Sequence, residues 1–138
     1  MIGGTRFIGH AAVGRALEHG HDVTVLHRGA HPNETRAREL LVDRTDPTAL
    51  RAALVPLRPE AVLDARAMTR SDAERTVAAV RDLGATLVVL SSQDVYAAFQ
   101  RLNGSEPSAP LGPEPVDEDA LWTIPFPFRD LALHEGGP

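Results

Sequence analysis

Met1-Ile2-Gly3-Gly4-Thr5-Arg6-Phe7-Ile8-Gly9 opens the 138-residue chain, and the reading of its glycines decides the fold. Glycines at a turn and inside the start of a helix let backbone N–H groups and the helix N-terminus come close to a pyrophosphate, whose charge the helix dipole favours. A tight turn with close helix packing needs the same glycines, so the loop alone is weak evidence. The pattern of strands and helices after residue 9 separates the two.

Phe7, Ile8, Ala11, Ala12, Ala16 and Leu17 recur at close to helical spacing, which predicts a helix from Phe7 to His19 ended by Gly20. Asp22 to Leu26 is short and β-branched and reads as a strand, broken by a loop from His27 to Asn33 that holds Gly29 and Pro32. Glu34 to Leu41 reads as a short helix or an ordered loop leading into a brief strand at Leu41-Val42-Asp43. Asp46 is a cap for a helix from Pro47 to about Leu54, with proline at its favoured first position. Ala61-Val62-Leu63-Asp64 resembles a buried parallel strand. A further helix is expected with Ser71 and Glu74 as a capping box, an apolar face of Ala73, Val77, Val80 and Leu83, and Gly84 after its last turn. Thr86 to Leu90 is the next strand, ending at Ser91-Ser92. Strands and helices alternating in this way predict an α/β fold, a Rossmann-like doubly wound parallel sheet with helices on both faces. The first strand of that sheet is largely missing, because only Met1 and Ile2 precede Gly3.

Composition narrows the function classes. With 43% apolar residues and a net charge of -5, the chain suits one globular core. It has no run of about 18 apolar residues and no basic-then-apolar amino terminus, so no membrane span or signal peptide is expected and a cytoplasmic address is the default. Cysteine is absent, which removes disulfides, thiolate nucleophiles and cysteine metal sites. All 14 basic residues are arginine, so no lysine-dependent step is available within these residues. The arginines are scattered and the balance is acidic, which makes nucleic acid an unlikely partner and a small molecule the better one. From Asn103 onward prolines, glycines and acids make an irregular extension, so residues 1–102 are expected as the folded domain and 103–138 as its extension.

Gly-Gly-Thr-Arg-Phe-Ile-Gly resembles the nucleotide-binding loop of the NAD-dependent epimerase/dehydratase family, the extended short-chain dehydrogenases and reductases. The family spacing GxxGxxG is met by Gly3 and Gly9, with Arg6 in the middle glycine's place. That departure recurs in a sugar-epimerase-like branch that includes chloroplast RNA-binding members. Val23 to Gly29 resembles the second strand and its loop, Asp43-Arg44 the adenine-side contact, and Ser91-Ser92-Gln93-Asp94-Val95-Tyr96 the SSxxVY segment. The resemblance implies a dinucleotide cofactor held by Gly3, Thr5, Arg6, Phe7, Ile8, Gly9, Arg28, Asp43, Arg44 and Ser91. It also implies a substrate-orienting catalytic Ser92 and a substrate-binding Tyr96. Nucleotide sugars are the substrate class it suggests first, and it leaves room for a homodimer of a full-length parent.

An NAD enzyme usually carries Asp or Glu at the end of the second strand, where this chain has His27 and Arg28; NADP, rather than NAD, is therefore the expected cofactor. A solvated arginine is the alternative for Arg28. The family's Tyr–Lys pair, in which the Lys four residues on lowers the Tyr pKa, is not met by Tyr96, since position 100 is Gln100. The chain is thus expected to be a fragment, cut near the first strand and before the YxxxK region, and inactive by itself. Two other readings stand beside this one. A non-catalytic dinucleotide- or RNA-binding protein of the same fold would keep the glycine loop without YxxxK, although RNA calls for a basic face. A metal site is not expected from the six histidines, which read as solvated surface residues, and a hydrolase lacks its G-x-S-x-G elbow.

Overall fold

The computed structural model describes residues 1–92. The chain divides into two compact units, Met1–Leu90 and Ser91–Pro138, and the expected boundary between 102 and 103 falls outside the described residues. Within the first unit the order is α1 (Phe7–Glu18), β1 (Thr24–His27), β2 (Arg38–Leu41), α2 (Pro47–Leu54), β3 (Ala61–Asp64), α3 (Arg70–Val80) and β4 (Thr86–Val89). All pairing is parallel. β1 lies beside β2 with Leu26 opposite Leu40, and β3 beside β4 with Leu63 opposite Val88.

One residue joins the two pairs. Ile2 bridges Leu26 on one side and Asp64 on the other, giving the order β2-β1-Ile2-β3-β4 of a doubly wound sheet. Its surroundings are stitched by Leu26 N–H to Met1 O (2.7 Å), Gly3 N–H to Leu26 O (3.1 Å), Ile2 N–H to Leu63 O (2.8 Å) and Ala65 N–H to Ile2 O (3.0 Å). The first strand is thus reduced to a single rung, as its near absence from the sequence implies. Val25, Leu26 and Val62 are at most 2% exposed, because the Ile2 rung closes the sheet at its carboxyl end and the helices cover the rest.

Helices lie on both faces. Leu26 points into a cluster with Ile2, Leu50, Leu54, Val62, Ala79 and Val80, which places α2 and α3 on that face. Val25, the next residue along the pleat, points to the opposite face. There it meets Val13 of α1, for a Cβ on Gly4 would touch both valines, at 3.0 Å and 2.9 Å. Gly4 is thus the position that lets α1 sit close to the sheet.

Local signals place most element ends. α1 closes in a Schellman motif, with Gly20 at φ +81°, Gly20 N–H on Leu17 O and His21 N–H on Ala16 O. Asp46 caps α2 by accepting from the N–H groups of Thr48 and Ala49. Two expectations need correction. The strand expected at Leu41–Asp43 lies earlier, at Arg38–Leu41, and Val42 instead continues the ladder by donating to His27 O. The capping box of α3 is Thr69 with Asp72, not Ser71 with Glu74, and the helix ends at Val80 rather than running through Leu83. Asp82 and Gly84 both take positive φ, so the chain turns before Leu83 can join the helix. The buried face is Thr76, Ala79 and Val80, and Val77 is 44% exposed.

Thr76 faces inward because it serves Asp64. Asp64 is 0% exposed at the carboxyl end of β3, and its carboxylate accepts from Arg44 Nη1 and Nη2 (2.9 Å each), the Thr76 hydroxyl (2.6 Å) and the Arg66 N–H (2.8 Å). Arg44 follows β2, so this pair spans the Ile2 rung and ties the two halves of the sheet. Removing one member of a buried pair strands the other's charge, so Asp64→Ala is expected to lower the unfolding free energy by about 3–5 kcal/mol in urea denaturation. A loss below about 1 kcal/mol, the scale of an exposed pair, would contradict this role.

Candidate functional site

The expected cofactor residues collect where a doubly wound sheet binds ligands, at the carboxyl ends of the strands beside the point where strand order reverses. Ile2 marks that point, and the loop from Gly3 to Gly9 leads from it into α1. The loop is tightly wound. Gly3 has φ +78°, and a Cβ on the buried Gly9 would collide with the carbonyl oxygen of Gly3, so no other residue fits at position 9 without moving the turn. Arg6 stands at the helix N-cap in extended conformation without a side-chain cap, and the first turn holds no acidic residue. The N–H groups of that turn, which have no partners inside the helix, are thus left to an outside acceptor. These features fit the pyrophosphate of a dinucleotide.

The backbone leaves its ordinary range just after Arg6. Phe7, the residue after it, takes φ +46°, a left-handed conformation that costs a non-glycine residue on the order of 1–2 kcal/mol. Phe7 and Ile8 are 83% and 69% exposed, so neither is held there by burial. Arg6 lies over the Phe7 ring, with 5.2 Å to its centroid, and Nη1 donates to His31 Nε2 at 3.1 Å. That bond links the glycine loop to the loop after β1, which also carries Arg28.

His27 is not the solvated histidine expected from the sequence. Its side chain is 8% exposed; Nδ1 accepts from Gly29 N–H (3.2 Å), which leaves Nε2 to donate to Glu39 Oε2 (3.0 Å). It shapes the turn that presents Arg28. After β2 the expected pair separates. Arg44 is engaged within the fold, its Nη1 and Nη2 donating to the Asp64 carboxylate, the Thr76 hydroxyl and the Asp72 carbonyl. Its Nε is buried without a hydrogen bond, 3.9 Å from Asp72 Oδ1.

Asp43 is exposed, and one of its oxygens accepts both the N–H and the hydroxyl of Thr45 at 2.8 Å. Those bonds, with smaller help from Arg28 and Arg75, hold its carboxyl below the usual carboxylate range. Ser91 and Ser92 follow β4 and are exposed; Tyr96 lies outside the described residues. Sequence reasoning missed two residues of this region, Gly4 and Arg66. Gly4 was legible as a second glycine in the loop, while Arg66 belongs to no motif. A shallow groove on the face of α3 turned from the core, between Arg70, Glu74, Val77 and Arg81, holds none of the expected residues.

Comparison with known proteins gives the family and the fold. The profile of the NAD-dependent epimerase/dehydratase family matches residues 1–116. A 3-diazoavenalumate denitrifying reductase from a Streptomyces species is 33% identical over 136 residues, an alignment that covers 92% of this chain and 44% of the relative. Among solved structures, a candidate NAD-dependent epimerase/dehydratase from Methylobacillus flagellatus superposes with a TM-score of 0.56 at 27% identity, over 64% of this chain and 34% of that one. A candidate epimerase from Burkholderia cenocepacia gives 0.60 at 26% identity, over 70% and 38%. The chain therefore spans less than half the length of each of these relatives. On the family profile and the shared fold together, the chain belongs to the NAD-dependent epimerase/dehydratase family, whose cofactor is a nicotinamide dinucleotide.

Proposed function

We propose that these residues form the cofactor-binding part of an epimerase, dehydratase or reductase and that they take NADP in preference to NAD. The substrate class in this reading is a nucleotide sugar or a related carbonyl or hydroxyl compound. The observation that carries the proposal is the cradle itself: Gly9 packed against the Gly3 carbonyl, and beside them a helix N-terminus with no side-chain cap. The reductase name of the Streptomyces relative supports redox chemistry at such a site.

In this reading the dinucleotide supplies hydride transfer, and the chain's own residues bind and orient it. The amides of the first turn of α1 hold the pyrophosphate, with Gly3, Thr5, Phe7, Ile8 and Gly9 shaping the loop. Arg6 and Arg28 meet the 2′-phosphate of NADP. Arg28 follows a strand end without a carboxylate, and Arg6 already reaches the same loop through His31. Asp43, kept ionised by Thr45, accepts from the adenine amino group. By resemblance, Ser91 borders the cofactor, Ser92 orients the reacting hydroxyl or carbonyl, and Tyr96 lines the substrate pocket. The general acid/base pair needs a lysine, and these 138 residues contain none.

Three outcomes test this. Calorimetric titration with both cofactors is expected to give tighter binding of NADP, with the preference reduced in Arg28→Ala; equal or tighter binding of NAD would overturn the choice. Gly9→Ala is expected to abolish binding of either cofactor, and retention of wild-type affinity would show that the loop does not form the site. Assays of epimerase, dehydratase or reductase activity on the 138-residue chain are expected to show no turnover. Measured cofactor-dependent turnover would contradict the missing acid/base pair.

A further inference from the structure

Arg66 is held at the glycine loop by its backbone and by the stem of its side chain. Its backbone N–H donates to the buried Asp64 carboxylate at 2.8 Å, and the preceding Ala65 N–H donates to Ile2 O at 3.0 Å, immediately before Gly3. Its side-chain stem then crosses Gly3. The atoms nearest to where a Gly3 Cβ would stand are Arg66 Cγ, Cβ and Cδ, so the missing Cβ at Gly3 is what lets the stem lie on the loop. The side chain is thereby seated on the turn that faces the first amides of α1.

The charged end has no use within the fold. Among the described residues, Arg15, Arg38, Arg44, Arg51 and Arg75 hold carboxylates or carbonyls, and Arg6 holds His31. The Arg66 guanidinium makes no such bond there, and the residue is exposed. An arginine pinned at its backbone and along its stem has already lost much of the freedom that binding would cost it. A guanidinium also matches phosphate oxygens two at a time, and it adds a full charge to the partial charge of the helix end. In a chain of net charge -5, a dinucleotide needs such a local cation to offset repulsion.

We infer that Arg66 is a cofactor-binding residue whose guanidinium clamps the pyrophosphate against the Gly3–Gly9 loop. The inference rests on the reading of that loop as a dinucleotide site and adds to it a residue outside the glycine motif. It also gives Asp64 a second task, for the carboxylate that joins the two halves of the sheet holds the backbone of the clamp.

Arg66→Met is the decisive variant, because it keeps an unbranched stem over Gly3 and removes only the charge. The probes are ADP-ribose, which carries the pyrophosphate, and adenosine, which does not. Titrations of the unaltered chain and the variant, by calorimetry for ADP-ribose and by amide NMR shifts for adenosine, separate the two. The expected result is a roughly ten- to hundredfold loss of ADP-ribose affinity, as for a charged hydrogen-bonding group removed, with adenosine binding unchanged. The salt dependence of ADP-ribose binding should also weaken. Unchanged or tighter ADP-ribose binding by Arg66→Met, with the parent binding normally, would overturn the clamp and leave the loop assignment standing. Failure of the parent to bind ADP-ribose at all would overturn both. Arg66→Lys, which keeps a charge without the fork, is expected to fall between; equality with Arg66→Met would overturn the contribution of charge.

Discussion

The Asp64 carboxylate is the point on which the rest of the first unit depends. It sits 0% exposed at the end of β3, where ionisation would be costly without partners, and it is satisfied by Arg44, Thr76 and the Arg66 N–H. Each partner comes from a different place: the segment after β2, the middle of α3, and the turn after β3. One side chain therefore fixes the two halves of the sheet, the rotation of a helix and the path of the chain beside the glycine loop.

That arrangement explains how so short a central strand suffices. Ile2 contributes only one rung, yet its neighbours are bonded on both sides and its side chain is buried in the common core. The Arg44–Asp64 pair crosses the same seam with two charge-assisted bonds. The glycine loop begins at this seam, so its position relative to the strand ends is set by the interactions that hold the sheet together. The proposed cofactor site and the stability of the fold would thus share residues, and substitutions at Asp64 are expected to act on both.

Much of this was legible in the sequence, and the misses have physical causes. Gly20 and Asp46 carry their information locally, since a positive φ and a side-chain cap need only neighbours a few residues away. The strand at Arg38–Leu41 was placed too late because it opens on the exposed Arg38 and Glu39, and its apolar residues come only at the end. For α3, two overlapping capping boxes were available, and the buried Asp64 selects the frame that turns Thr76 inward. The glycine loop was legible because its turn demands glycine, with positive φ at Gly3 and no room for a Cβ at Gly9. The pairing of Arg44 with Asp64 was hidden, because the two lie 20 residues apart on elements that sequence order does not place side by side.

In the proposed function a nicotinamide dinucleotide lies along the carboxyl ends of these strands, over the glycine loop. An amide NMR titration of the labelled chain with NADP tests it most directly. The largest shifts are expected at Gly3 to Gly9, at Gly29, at Asp43 and at Ala65-Arg66, with little change along the outer face of α3. Shifts centred instead on the groove between Arg70, Glu74 and Arg81, or no saturable shifts at all, would contradict the account.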